Sequence, residues 1–485
     1  MDEMSFRNRE RLEETLKNFE RRLNRDQVDA ISSIIDEPVH DDYFLLPIVD
    51  GPPGTGKTTV GAYASLKAIL EGNSQGILYI APTNFAALQA KRAFERLGME
   101  SSDVVWLNHR SGLRDWNRGV VGARYDLSDL GPNDIRRLRS APIIICTPYM
   151  LGRVKRGGLR PSNTKVIIDE FSQIDPALFF MILSRTGANV DRYLRGGYAL
   201  LGDPLQLPVV TTQGELMQNV LEFTLSHHTI DGELSSLTLQ YRMHVEICEA
   251  INRMRRELCF WGDFRPLEPS DEVRFRDLTG LGYEYTEQNI KNGHLLTSEE
   301  LREILDPSHT FVVINTDKLP RRSTSTNEER TLSGSWRNNA EAEAAVDIAI
   351  AAHQAYHRQN EQLVPQIISP YNAQVCEIKY RLKSRLQALG ISVEGKVIEE
   401  SVMTAYKSQG REFPFVIVSL VRKNPERRIG FLEDEKLRAQ VYVACSRAQG
   451  KLVLLMSRET FGGRDLYDEL VNVKGSRHAL LWGWD

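Results

Sequence analysis

The residues Gly51-Pro52-Pro53-Gly54-Thr55-Gly56-Lys57-Thr58-Thr59 are spaced as G-x-x-x-x-G-K-[ST], between an apolar run and a helical one. Gly54 and Gly56 let backbone N–H groups turn inward around phosphate oxygens, and Gly51, Pro52, Thr55 and Thr59 complete the loop. Lys57 brings a cation to the terminal phosphates, and the Thr58 hydroxyl suits Mg²⁺. A second strand end, Lys165-Val-Ile-Ile-Asp169-Glu170, supplies acids: Asp169 would hold the metal, and Glu170 would orient and deprotonate a water. A third, Leu201-Gly-Asp-Pro-Leu-Gln206-Leu-Pro208, offers the Gln206 amide, which can bond a γ-phosphate and lose that bond on cleavage. Either of the last two alone reads as a solvated turn. Three strand ends carrying phosphate-directed groups read as a site that hydrolyses a nucleoside triphosphate.

Such groups need strands that end together. The apolar runs Phe44–Val49, Gly76–Ala81, Val104–Leu107, Pro142–Cys146, Lys165–Ile168 and Tyr198–Leu201 are separated by helical stretches. That pattern implies crossover connections and a parallel sheet. Pro47 cannot donate to a ladder, so the first buried strand should begin after it. The alternation lapses over 262–308, and 316–337 reads as a mobile loop. A second series is Phe311–Ile314, Gln366–Ser369, Val402–Thr404, Phe415–Val421 and Leu452–Met456. The fold class is α/β, with two domains that are each a mainly parallel sheet flanked by helices. The expected boundaries are an N-terminal helix in 1–23 (Leu12, Leu16, Phe19 and Leu23 on one face), a first domain over 24–235 and a second over 236–485.

The chain has 485 residues, 41% hydrophobic and 26% charged, which excludes wholesale disorder. Lys+Arg 61 against Asp+Glu 65 gives −4, which excludes a uniformly basic nucleic-acid coat but not a local basic groove. No apolar run approaches the ~18 residues that span a bilayer, so no membrane is expected. The charged N-terminus does not read as a secretory signal. The 5 cysteines are scattered without a CxxC pair, pointing to a reducing, cytoplasmic compartment, with the nucleus left open.

In chain order, Leu23-Asn-Arg-Asp-Gln27, GPPGTGKTT, APTNFAALQ, DEFSQ, GDPLQLP, LQYRMH, SPYNAQ, TAYKSQGREFPFVIVSLVR and VACSRAQ resemble the motif series of a superfamily 1 helicase. LQYRMH after GDPLQLP is similar to the up-frameshift-like branch, which includes the nonsense-decay helicase. The resemblance implies two tandem RecA-like P-loop NTPase domains, ATP and Mg²⁺ as cofactors, and single-stranded DNA or RNA as partner to a monomer. It implies that Gln27 reads adenine and that Tyr241 stacks on the base. Arg242 and Arg447 would be the arginines that the second domain directs at the γ-phosphate, where guanidinium forks neutralise developing charge. Gln409, Gly410 and Glu412 match the motif coupling nucleotide to strand. Thr83, Asn84, Thr147, Pro148, Tyr371 and Thr404 match sugar-phosphate contacts, which grip without reading sequence.

The departures are Phe171 for a small residue, Val245 for a proline, and Tyr442 and Gln449 around the last arginine. Only Met1–Asp26 precede Gln27, so the resemblance implies that the family's β-barrel insert is absent. The implied activity is an ATP-dependent helicase or translocase moving 5′ to 3′ on single strands. The alternative is a non-processive, ATP-switched clamp or scaffold that does not unwind. A P-loop kinase acting on small molecules would explain neither the arginines nor the backbone-contact motifs.

Four features stay open. An insert at about 105–160 holds Arg110, Arg114, Arg118, Arg124, Arg136, Arg137, Arg139, Arg153, Lys155, Arg156 and Arg160, and reads either as a strand channel or as a solvated face. His353 and His357 have metal-ligand spacing, but no third ligand is near in sequence, and a surface helix is the better reading. Tyr149 and Met150 fit a base contact or core packing, and Trp482 and Trp484 fit a domain cap or a partner contact.

Overall fold

The computed structural model describes residues 9–35, 46–100, 103–109, 120–123, 138, 140–153, 164–186, 197–207, 222, 234–260, 264–319, 328–359, 361–473 and 476–484. These divide into two compact units. The first runs to Leu239, apart from Leu205–Leu207, which group with the second; the second begins at Gln240.

The first unit is built on an 8-stranded sheet. Its strands are β1 (Ile48–Asp50), β2 (Gly76–Ile80), β3 (Val104–His109), β4 (Val120–Ala123), β5 (Ile143–Cys146), β6 (Thr164–Asp169), β7 (Tyr198–Gly202) and β8 (Leu234–Ser236). The order is β4-β3-β5-β2-β6-β7-β1-β8, and every pairing is parallel. Strands of such a sheet are buried on both faces, which is why β2, β5 and β7 read as unbroken apolar runs. β1 starts after Pro47, as the missing N–H requires. The edge strands β4 and β8 were not legible in the sequence. Around the sheet run α1 (Arg9–Glu20), α2 (Arg25–Ile35), α3 (Lys57–Leu70) and α4 (Asn84–Arg96). α1 buries Leu12 and Leu16 in the core shared by α2, α3 and the sheet.

The second unit has a 6-stranded sheet. Its strands are β9 (Phe311–Asn315), β10 (Gln366–Ser369), β11 (Val402–Thr404), β12 (Phe413–Ser419), β13 (Ala448–Met456) and β14 (Ala479–Trp482). Their order is β11-β10-β12-β13-β9-β14, again parallel throughout. This repeats β5-β2-β6-β7-β1-β8 of the first unit strand for strand. Two cores flank the sheet, Phe311, Val313 and Leu454 facing one and Val312, Ile314 and Leu455 the other, as the alternation along a strand demands.

Two sequence expectations change. Of the expected mobile loop at 316–337, residues 320–327 lie outside the described residues; of the rest, Thr316–Lys318 form a 3₁₀ turn, and Glu328–Arg330 pair antiparallel with Trp336–Asn338. Ion pairs order that hairpin, with Arg337 reaching Glu329 at 3.2 Å and Glu377 at 3.1 Å. The two histidines do not share a helix face, because the helix stops at Ala355. His353 Nδ1 lies 3.1 Å from Leu363 O, and His357 Nε2 lies 3.1 Å from Glu284. Trp482 closes the edge strand β14, while the Trp484 ring lies under the Arg458 guanidinium at 5.6 Å. Of the basic insert, all the named arginines and lysines except Arg153 lie outside the described residues.

Candidate nucleotide and strand site

In the first unit the loop after β1 is set by hydrogen bonds and by glycine. Gly51 N–H donates to Gly202 O at 2.6 Å, tying the loop to the end of β7. Thr55 Oγ1 donates to Pro52 O at 2.8 Å. Gly56 caps α3 at φ 82, a left-handed conformation that side chains resist. A Cβ on Gly51 would lie 2.5 Å from Lys57 Cβ, so no side chain fits there. The N-terminus of α3 thus opens toward the loop, with Lys57, Thr58 and Thr59 in its first turn.

The Asp169–Glu170 pair lies against this loop. Thr58 Oγ1 donates to Asp169 Oδ2 at 2.9 Å, and Lys57 Nζ is 2.9 Å from Glu170 Oε1. Tyr79, on β2, also donates to Asp169 Oδ2, at 2.8 Å. Sequence reasoning missed Tyr79; the signal was a phenol inside an apolar strand, whose hydroxyl needs a buried partner. Burial and then Glu170 push the Asp169 carboxyl above its usual range, against Lys57, Tyr79 and Thr58. Burial works against the charge on Lys57, but Glu170 and then Asp169 outweigh it and hold the ammonium above its ordinary value.

Glu170 stands at φ 53, which costs a non-glycine residue strain of the kind found at functional positions. It is 8% exposed, and among the described residues its Oε2 is buried without a hydrogen-bond partner. Phe171 is fully buried against Gly202: a Cβ there would sit 2.7 Å from the Phe171 ring. The bulky residue after the acids is thus accommodated by the glycine at the end of the next strand. Gln27 lies beside the loop, its Nε2 donating to Thr55 O at 3.2 Å and its Oε1 accepting from Asn24 N at 3.2 Å.

The second unit gathers a different set. Arg242 Nε pairs with Glu412 Oε2 at 2.7 Å, and its Nη1 donates to Ser446 O at 3.2 Å. Arg447 is 2% exposed; it donates to Val443 O at 2.9 Å, Arg411 O at 3.2 Å and Ser446 Oγ at 2.8 Å. Ser446 therefore joins the two arginines. Tyr241 is partly exposed, its carbonyl accepting from Arg276. Gly410 takes φ 76 between Gln409 and Glu412. Gln206 groups with this unit and accepts from Gln409 Nε2 at 3.2 Å.

The residues expected to touch a strand share one placement, at a helix N-terminus just past a strand end. Thr83 follows β2 and accepts from Ala86 N at 3.1 Å, with Asn84 exposed in the first turn of α4. Thr147 follows β5 and accepts from Met150 N at 3.3 Å, with Pro148 in the first position of the short helix Pro148–Gly152. Thr404 ends β11 and accepts from Lys407 N at 3.4 Å. Such ends present N–H groups to phosphates. Tyr149 is exposed there and Met150 buried.

Tyr371 departs from its expected role. It follows β10, but it is 4% exposed, its ring centroid lies 4.8 Å from that of Phe431, and its hydroxyl donates to Ile429 O at 3.3 Å. Its side chain is a core contact.

Among the described residues no three His, Cys, Asp or Glu are arranged to hold a metal, and no helix is long and apolar enough to cross a membrane. The Thr58 hydroxyl and Asp169 carboxylate nonetheless fit Mg²⁺, which takes few protein oxygens and completes its shell with water and phosphate.

Models of two families, each described as "AAA domain", match residues 22–251 and 216–459. A Neurospora crassa regulator of nonsense transcripts 1 homolog is 24% identical over 95% of this chain and 39% of its own length. The ATP-dependent helicase upf1 of Schizosaccharomyces pombe is 24% identical over 90% of this chain and 44% of its own. The DNA replication ATP-dependent helicase/nuclease JHS1 of Arabidopsis thaliana is 25% identical over 95% of this chain and 30% of its own. The chain thus spans between about a third and a half of the length of these curated relatives.

Proposed function

The chain belongs to the AAA-domain family and, within it, to the up-frameshift-like superfamily 1 helicases, and from that premise we propose that it hydrolyses ATP to move along single-stranded nucleic acid, 5′ to 3′. The observation that carries the reading is the arrangement of Lys57, Thr58, Asp169 and Glu170 around a loop closed by glycine. In it the α3 N-terminus and Lys57 bind the phosphates. Glu170, with one buried oxygen free of hydrogen bonds among the described residues, takes the proton of the attacking water. Thr58 and Asp169 would hold Mg²⁺, which neutralises charge on the phosphates.

Arg242 and Arg447 are the cations of the second unit assigned to the γ-phosphate. Arg242 now pairs with Glu412, whose side chain is half exposed, and a phosphate would compete for the same guanidinium. Gln27 and Tyr241 take the base, and Gln206 senses the γ-phosphate. Thr83, Asn84, Thr147, Pro148 and Thr404 grip the strand backbone. The chain would work as a monomer in a reducing compartment. Magnesium-dependent phosphate release, measured alone and with single-stranded DNA or RNA of matched length, tests the reading. Stimulation by one of them, together with displacement of a tailed duplex, is expected. Release that neither polymer changes would overturn the motor. Stimulation without displacement would leave a clamp.

A further inference from the structure

Because the second unit repeats the first unit's strand order, β9 stands where β1 does, β12 where β6 does and β13 where β7 does. The loops after those strands in the second unit line a cavity of about 710 Å³, within the range of small-molecule pockets. Lys318 enters it from the loop after β9, Arg427 from that after β12, and Arg458 from that after β13. Arg427 donates to Gly462 O, and Arg458 Nη1 donates to Trp484 O at 2.7 Å. Among the described residues, none of the three cations pairs with a carboxylate. Of the lining acids, Asp317 is already engaged: it accepts from Ser457 Oγ at 2.7 Å and Glu459 N at 2.8 Å, and lies 3.6 Å from Lys423. That leaves Glu459 as the lining acid that no cation answers, and the wall carries excess positive charge.

The backbone supplies a second, independent observation. The loop after β12 holds Val421 at φ 73 and Arg427 at φ 55. Val421 is fully buried and outside the cavity lining, but Arg427 lines it, and a non-glycine residue at positive φ there is strain of the kind that gathers at ligand sites. Its counterpart after β6 is Glu170 at φ 53.

We infer that this cavity is a second anion site, taking a small phosphate-bearing ligand such as pyrophosphate or the phosphate tail of a nucleotide. Its chemistry differs from that of the P-loop. No glycine follows β9, and the Asp317 N–H already donates to Asn315 Oδ1 at 3.1 Å. Recognition therefore falls to side-chain cations at the surface, and binding weakens as salt rises.

Calorimetric titration of the full chain with inorganic pyrophosphate tests this at low and high salt. Two sites are expected, one lost in Lys57→Ala. The other should weaken by about tenfold or more in Arg427→Gln with Arg458→Gln, since each removes a charge-assisted hydrogen bond. A single site in the unaltered chain, abolished by Lys57→Ala, overturns the inference without reference to whether any variant folds. A labelled single strand is the second arm. If the double substitution weakens strand binding while pyrophosphate still fills both sites unchanged, the basic wall is a strand contact and the small-ligand proposal is wrong.

Discussion

The ends of β6 and β12 occupy the same place in two sheets of the same order, and each is followed by a non-glycine residue at positive φ. After β6 that residue is Glu170, its own carboxylate beside Lys57. After β12 it is Val421, whose N–H donates to Glu341 Oε2 at 2.8 Å, with Ser419 Oγ donating to the same oxygen at 2.7 Å. Both acids keep one buried oxygen without a hydrogen-bond partner among the described residues. They differ in access and in company: Glu170 is 8% exposed and faces a glycine loop with a lysine, whereas Glu341 is 0% exposed and is spent holding a strained turn. A buried carboxylate at a strained strand end is thus not by itself a base. Of the two, only Glu170 combines an adjoining lysine with residual exposure, which is what its proposed role as base requires.

The sharpest way to break this contrast is Glu170→Gln. The amide keeps the shape and cannot accept a proton, so turnover should fall by roughly 10²–10⁴ while nucleotide binding persists. A turnover rate left unchanged, measured by phosphate release at saturating ATP, would sink the assignment of Glu170 as base. The matching Glu341→Gln should leave turnover at neutral pH nearly intact.

A smaller effect is expected from Phe171→Ala. The ring fills the space that Gly202 leaves, and its removal opens a cavity in a core that includes Ile168, Ile174 and Leu200. A loss of about 3–5 kcal/mol is the usual cost of such a truncation. Denaturant unfolding measures it, and a change below about 1 kcal/mol would show that the site collapses around the gap. Because Phe171 and Gly202 join the ends of β6 and β7, ATP affinity should fall with stability.

Much of this was legible in the sequence, for a physical reason. Strands buried on both faces read as unbroken apolar runs, so β2, β5, β7, β10 and β11 were placed nearly to the residue. The P-loop and the Asp-Glu pair were legible because their spacing is itself the chemistry. What escaped depended on neighbours across the sheet. β2 pairs with β6, which is what brings the Tyr79 hydroxyl to Asp169, and spacing along the chain cannot show that pairing. A motif gives the position of Tyr371 but not the direction of its ring, which packs against Phe431. The hairpin at 328–338 was hidden because ion pairs, not apolar periodicity, hold it.

The least disruptive test uses pH to separate the two strand ends. Burial raises the Glu341 carboxyl to about 7, against hydrogen bonds from Ser419 and Val421. Its ordinary value is 4.5, so the folded chain holds a proton that the unfolded chain has released. The stabilisation from that proton is complete below pH 4.5 and is lost as pH rises through about 7. Glu341→Gln removes the titration. The variant's thermal midpoint should therefore rise relative to the unaltered chain as pH climbs between those two values, then stay level above them. A difference independent of pH would mean that Glu341 is charged throughout, held by Lys423, and that the second strand end is an ion pair like the first. The unaltered chain's turnover should not follow this transition, because no group argued to touch nucleotide takes part in it.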